Sequence, residues 1–290
     1  MMTTAAPAAP ELDTLIKRFD VPPCPAIVSE LQAELRKDNA SAGKLARLIS
    51  RDVGLAGAVM RLVNSPAFRP GREVASIDDA LRILGFGRVF DLVVGELLKK
   101  SLASGGGLRL DRYWENAACS AEICAALAGR LPGTTRETAY CFGLFHDCGI
   151  PLLMRRFPDY RETLQAANAE SGLALLAVEE ARHGTNHAVV GYLLGRTWGL
   201  SEVLCEAIRA HHNYQVLDPR APARLPDEVC ALIALSAIAD HVAGLHLRTR
   251  EEGQWLAARS RVGAFFGLAD DELDDLIEDL LHDVQLASAA

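Results

Sequence analysis

The chain lacks several things that would each have named a class of protein. Its seven cysteines are odd in number and include no Cys-x-x-Cys pair, which argues against a disulfide framework and for reduced thiols, as in a cytoplasm. The longest apolar stretch, Cys230 to Ala239, is about ten residues and contains Ser236, whereas a membrane span needs about 20. No membrane association is expected. Lys and Arg number 30 against 38 Asp and Glu, and they form no clustered basic face of the kind that phosphate backbones require, so nucleic acid is not an expected partner. No period-two run bounded by turn residues occurs, so no sheet is expected. Residues Met1 to Pro10 carry no charge, no periodicity and no leader-like basic and apolar segments, and are expected to form a flexible tail.

What the chain does have is a helical pattern over 290 residues, half of them hydrophobic, enough for a substantial core. Ile77, Ala80, Leu81 and Leu84 fall at i, i+3, i+4 and i+7 behind a Ser76/Asp79 capping box. Leu273, Leu276, Ile277, Leu280 and Leu281 repeat the pattern, and their acidic companions are expected to form a solvated face. The fold class is all-α. Helices are expected near 25–37, 41–52, 53–65, 76–84 and 86–102, then near 111–130, 135–155, 157–169, 172–183, 187–198, 201–212, 227–247 and 269–286. Ser104-Gly105-Gly106-Gly107 marks a boundary, because consecutive glycines are costly in a helix. A tail (1–10), an N-terminal helical subdomain (11–105) and a second helical domain (106–290) follow. Charge divides there too, at +2 up to residue 105 and −10 beyond it. The Pro-rich loop from Asn213 to Pro226 is expected to overhang whatever lies beside His211 and His212.

Four of the eight histidines form an ordered set with two aspartates: His146-Asp147, His187, the doublet His211-His212, and Asp240. Imidazole and carboxylate together suit a hard or borderline divalent cation, and a carboxylate can bridge two ions. A metal-free hydrogen-bonded cluster is the alternative, since buried polar groups need partners with or without an ion. His183, His241, His246 and His282 stand outside the set. His183, ahead of Gly184, is expected to end a helix against its last carbonyls. Cys148 is expected to be a small buried residue, and Trp198 core.

Further motifs extend the pattern: Val21-Pro22-Pro23-Cys24-Pro25, Leu62-Val63-Asn64-Ser65-Pro66-Ala67-Phe68, Ala80-Leu81-Arg82-Ile83-Leu84-Gly85, and the Trp198 segment before the doublet. With these, from about Phe19 to about Leu247, the chain resembles the HD superfamily of metal-dependent phosphohydrolases and most closely its HDOD (HD-related output domain) branch. The resemblance implies a helical bundle ahead of an HD-like bundle. It also implies that Asp147, His187, His211 and His212 surround one ion, with His146, Asp147 and Asp240 left around a second. Active relatives carry a histidine at the position of Asn116, and those that hydrolyse cyclic dinucleotides also carry a lysine at that of Ile150 and Gly-Tyr-Pro where this chain has Asn213-Tyr214-Gln215-Val216. An amide is a poor transition-metal ligand and an apolar side chain cannot offset phosphate charge.

The implied site is degraded on one side. It holds either one divalent transition metal (Fe, Mn, Ni or Zn) or none. The expected function is a non-enzymatic signalling module working through protein contacts, with a nucleotide or cyclic dinucleotide as a further candidate ligand. The alternative is a metal-dependent phosphohydrolase acting on such a ligand. Asn64 and Ser65 are candidate partner contacts, although ending a helix before Pro66 explains them more simply. A homo-oligomer is compatible with the sequence, which carries no symmetry signal.

Overall fold

The computed structural model describes residues 9–19, 21–37, 39–65, 68, 73–103, 110–169, 174–222, 224–248 and 252–289. They fold into sixteen α-helices, with no strand among the described residues. The first group is α1 (Ala9–Arg18), α2 (Ala26–Leu35), α3 (Ala42–Ser50), α4 (Val53–Val63), α5 (Ile77–Leu84) and α6 (Phe86–Ala103). The second is α7 (Asp111–Ala128), α8 (Arg136–Phe145), α9 (Gly149–Arg156), α10 (Tyr160–Ala169), α11 (Ala174–His183), α12 (His187–Trp198), α13 (Glu202–Ala210), α14 (Asp227–Leu247), α15 (Glu252–Phe266) and α16 (Asp270–Ala289).

Local chemistry sets the boundaries. Ser76 caps α5, its hydroxyl accepting from the Asp79 amide at 3.1 Å, and the Asp52 carboxylate caps α4 by accepting from Leu55 N at 3.0 Å. Asn64 ends α4 and is more than a helix stop. Its amide donates to Val74 O at 2.9 Å and accepts from Val74 N at 2.8 Å, pinning the entry to α5. Ser65 Oγ is buried without a partner among the described residues. On α16, Leu273, Ile277 and Leu280 are buried while Asp271, Glu272, Asp275 and Glu278 face water.

Four expectations are corrected. Residues 135–155 form two helices, α8 and α9, because the backbone turns at His146-Asp147-Cys148. α1 begins at Ala9, inside the expected tail, and its Leu15 and Ile16 pack on the core. α15 was not expected at all: its inward stripe is only Trp255, Ala258 and Val262, spread among small and charged residues. His183 does end α11, yet its Nε2 pairs with Thr163 Oγ1 at 2.8 Å and its ring stacks on Phe157, so the helix carbonyls are not its partners. The expected boundary near residue 106, and the first eight residues of the tail, lie outside the described residues.

α14 is long and apolar enough to cross a membrane by length and composition, with a mean hydropathy of 1.6, but 78% of that stretch is buried inside the bundle. It is the axial core helix, packed against α7, α8, α13, α15 and α16. The buried apolar residues of both halves form one continuous core. Trp198, 1% exposed, ties them together by donating from Nε1 to Pro22 O at 2.9 Å while its own carbonyl accepts from Gln32 Nε2 at 3.2 Å.

Candidate metal centre

Four helix termini deliver the polar residues to one place. His146 closes α8 and Asp147 occupies the turn before α9. His187 is the first residue of α12, behind Asn186, whose side chain caps the helix by accepting from Val189 N at 2.9 Å. His211 caps the C-terminus of α13 and His212 follows it. Asp240 comes from the middle of α14. Gly149 makes this convergence possible. A Cβ there would lie 2.0 Å from the His187 carbonyl oxygen, so α9 and α12 touch backbone to backbone.

The imidazole nitrogens are assigned by their partners, because carbonyl and carboxylate oxygens only accept. His211 Nδ1 donates to Ile208 O at 2.7 Å. His187 Nδ1 donates to Glu179 Oε2 at 2.8 Å. Both rings therefore turn Nε2 inward. His187 Nε2 lies 3.2 Å from His211 Nε2, 2.9 Å from His212 Nε2 and 3.3 Å from Asp147 Oδ1, and His211 Nε2 lies 3.5 Å from that same oxygen. A cation bound at about 2.1 Å holds neighbouring ligand atoms about 3.0 Å apart in octahedral geometry and about 3.4 Å apart in tetrahedral geometry. Those four separations are close to the spacing around one ion, and all four ligand atoms lie within 4.8 Å of one another.

Electrostatics favour the same set. Burial pushes the His211 imidazole down to about 4, although the Asp147 carboxylate beside it favours the charged ring. Burial also holds His212 well below its ordinary value, helped by its histidine neighbours. Both offer neutral lone pairs. Burial would lower His187 too, but Glu179 raises it. A second proton on His187 would serve His212, at 2.9 Å, and leave the His211 lone pair facing Asp147, whereas a divalent ion would meet all four ligand atoms.

The other side differs. His146 Nδ1 donates to Gly143 O at 3.0 Å, and its Nε2 lies 3.3 Å from Asp147 Oδ2 and 3.4 Å from Asp240 Oδ2. Burial opposes the charged ring, yet Asp147 and Asp240 carry it up to about 10. Asp240 also accepts from Ser120 Oγ at 2.9 Å. Asn116 sits half-buried one turn ahead of Ser120 on α7, and Ile150 is packed against the apolar core.

The HDOD domain pattern matches residues 21–214, two-thirds of the chain. The chain belongs to the HDOD family. Solved structures similar to this HDOD protein include a protein from Shewanella amazonensis SB2B described as a candidate phosphohydrolase (26% identity, 92% of each chain, TM-score 0.64). An HDOD domain protein of unknown function from Geobacter sulfurreducens (22% identity, 98% of each chain, TM-score 0.64) shares the all-helical fold. So does a candidate signal transduction protein from Marinobacter aquaeolei VT8 (23% identity, 93% of this chain and 60% of that one, TM-score 0.62). An uncharacterised protein of Treponema pallidum (strain Nichols) is 26% identical over 223 residues, covering 76% of this chain. That match takes in 42% of the relative, so the HDOD protein corresponds to less than half of its length.

The structure brings together all six residues of the ordered set. Tyr214, the second residue of the expected loop, lines a narrow crevice with Asp240, whereas Val216, Leu217 and Pro219 line a separate cavity with Phe265 and Phe266. His241 turns away and stacks on Trp255. Cys148 is 1% exposed, and burial pushes its thiol well above the ordinary range. Sequence reasoning missed three neighbours. Glu179 is fully buried, and it accepts from His187 N at 3.2 Å, from His187 Nδ1 and from Tyr160 OH. Ser120 orients Asp240. Tyr113, one turn before Asn116, has a buried hydroxyl without a partner among the described residues, within electrostatic range of Cys148 and Asp147.

Proposed function

We propose that this HDOD protein is a regulatory module that holds one divalent transition-metal ion at Asp147, His187, His211 and His212 and acts through protein contacts without turnover. One observation carries the reading: a complete four-ligand set stands beside a second position that has Asn116 in place of an imidazole. Ile150, half-buried against apolar side chains, puts no charge where a scissile phosphate would need one. When bound, the ion would supply Lewis acidity and a fixed charge that binds these residues together.

The placement of α12 and α13 suggests how such a centre is read out. α12 starts at His187 and ends at Trp198, which holds Pro22 and Gln32. α13 starts behind Ser201, whose backbone amide donates to Asp91 of α6, and ends at His211. The two helices form a hairpin with the centre at one end and the N-terminal helices at the other, about 18 Å away for a helix of 12 residues. Ordering of the ligand end would stiffen the hairpin and, through it, the surface that α1, α2 and α6 offer to a partner protein.

The test is to purify the chain without chelator, measure bound Mn, Fe, Ni and Zn, and assay mono- and diphosphoesters and cyclic dinucleotides with added metal. The expected result is about one ion per chain and no hydrolysis. Turnover that disappears in Asp147→Ala would replace this reading with the phosphohydrolase one, and absence of metal under every loading condition would remove the centre altogether.

A further inference from the structure

We propose that the cleft between the ends of α1 and α9 is an anion site, and that it takes a ligand carrying two linked phosphate groups. The site is separate from the metal centre and does not depend on it.

Lys17, Arg18, Arg155 and Arg156 line this cleft, which has a volume of about 450 Å³, within the range of small-molecule sites. Among the described residues its lining is wholly cationic, in a chain whose net charge is −8. The sequence conceals the cluster, because Arg18 and Arg156 stand 138 positions apart and only the fold joins them. Arg156 Nε donates to Arg18 O at 3.1 Å, which ties the last turn of α9 to that of α1. Each guanidinium also rests over an aromatic ring, Arg18 at 5.1 Å from the Phe19 centroid and Arg156 at 5.7 Å from that of Phe157. These contacts order the two side chains before any ligand arrives. α9 runs from Gly149 to Arg156, about 12 Å, so the cleft lies a helix length from Asp147.

Helix dipoles do not account for the gathering. A helix C-terminus carries about half a negative charge, so two of them supply about one. Arg155 has a further interaction of its own, but with Arg155 set aside, Lys17, Arg18 and Arg156 still bring three positive charges to the cleft. A cleft of this volume is about 8 Å across, which is about the Debye length at physiological salt, so salt does not screen these cations from one another. A compact anion relieves their repulsion. Arginine prefers oxygens that meet its planar fork in pairs, as those of phosphate and carboxylate do. An extended acidic peptide places its carboxylates on alternating faces, about 7 Å apart on each, so only two would meet the cleft. Two linked phosphates concentrate more charge in the same space. Among the described residues no apolar side chain lines the cleft, so a nucleoside attached to the phosphates finds nothing to rest on.

The experiment titrates wild type, Lys17→Gln, Lys17→Gln/Arg18→Gln and Asp147→Ala with inorganic diphosphate by calorimetry at fixed ionic strength. ADP and a hexaglutamate peptide are titrated in parallel, and thermal midpoints are recorded. Wild type and Asp147→Ala should bind diphosphate equally, and ADP as tightly as diphosphate. Lys17→Gln should weaken binding about threefold and the double substitution about tenfold, the scale of one and two exposed charge pairs. Their midpoints should match or exceed that of wild type, because like charges have been removed. Should the double substitution unfold, Lys17→Gln decides alone. A wild type that gives no heat with diphosphate overturns the proposal, and so does equal affinity in wild type and the two glutamine variants. Binding that disappears in Asp147→Ala but persists in Lys17→Gln/Arg18→Gln belongs to the metal centre and overturns it too. Hexaglutamate bound as tightly as diphosphate would make the cleft a seat for an acidic protein segment, and ADP bound tenfold more tightly would make it a nucleotide site; either result overturns the assignment.

Discussion

Glu179 and His187 are joined twice, because the same carboxylate oxygen accepts from the His187 backbone amide at 3.2 Å and from its ring Nδ1 at 2.8 Å. This fully buried pair fixes both the start of α12 and the ring orientation that presents Nε2 to Asp147, His211 and His212. Partners of metal-ligating histidines act through ligand basicity and orientation. Glu179→Gln should leave the fold intact and weaken metal affinity about 10- to 100-fold, as read by competition with a chromophoric chelator. An unchanged affinity would mean that His187 is held by packing alone.

Gly149 meets the His187 carbonyl so closely that even a methyl group must push α9 from α12. Gly149→Ala should cost about 3 kcal/mol or more in denaturant unfolding, as overpacking of a rigid contact does. It should also lower metal content, because it separates Asp147 from His187. Full metal retention with wild-type stability would show that the two helices can slide apart freely.

Asn116 lies one turn before Ser120, which holds Asp240, on the same helix. Asn116→His restores an imidazole next to His146, Asp147 and Asp240, and should raise metal content from about one ion per chain to about two, measured by elemental analysis after loading. A stoichiometry that stays at one would place the loss elsewhere.

Asp91 is 9% exposed between α6 and the start of α13, and burial raises its carboxyl to about 7 despite the hydrogen bond from the Ser201 amide. Its folded pKa is above the unfolded value of 3.8, so the folded state holds the proton longer. The contribution of this group to stability therefore falls as pH rises from about 4 to about 7, and the whole penalty is present above that window. Asp91→Asn should match wild type near pH 4 and exceed it by about 2–4 kcal/mol at pH 8, at about 1.4 kcal/mol per pKa unit. Denaturant unfolding at the two pH values decides it. An advantage confined to low pH would reverse the sign and refute the account.

Much of the architecture was legible in the residues because helices announce themselves locally. The α5 stripe with its Ser76 cap, and the α16 stripe with its acidic outer face, each need only the 3.6-residue period to be recognised. α15 escaped because its three inward residues are too sparse to make a pattern. The division of 135–155 escaped because no proline or turn-forming pair stands at residues 146–148, and His146 and Cys148 keep near-helical backbone angles where the chain turns.

The sequence by itself determined the helical class, the family resemblance and the six candidate metal residues, because each depends on residue identity at a fixed place along the chain. Only the tertiary structure decided that those residues meet, since His146 and Asp240 are 94 positions apart and their 3.4 Å approach depends on how α8 and α14 pack. It alone revealed Glu179 behind His187 and Ser120 behind Asp240. A glutamate on one helix and a serine on another have no periodicity to betray them, and their roles come entirely from what the fold sets beside them.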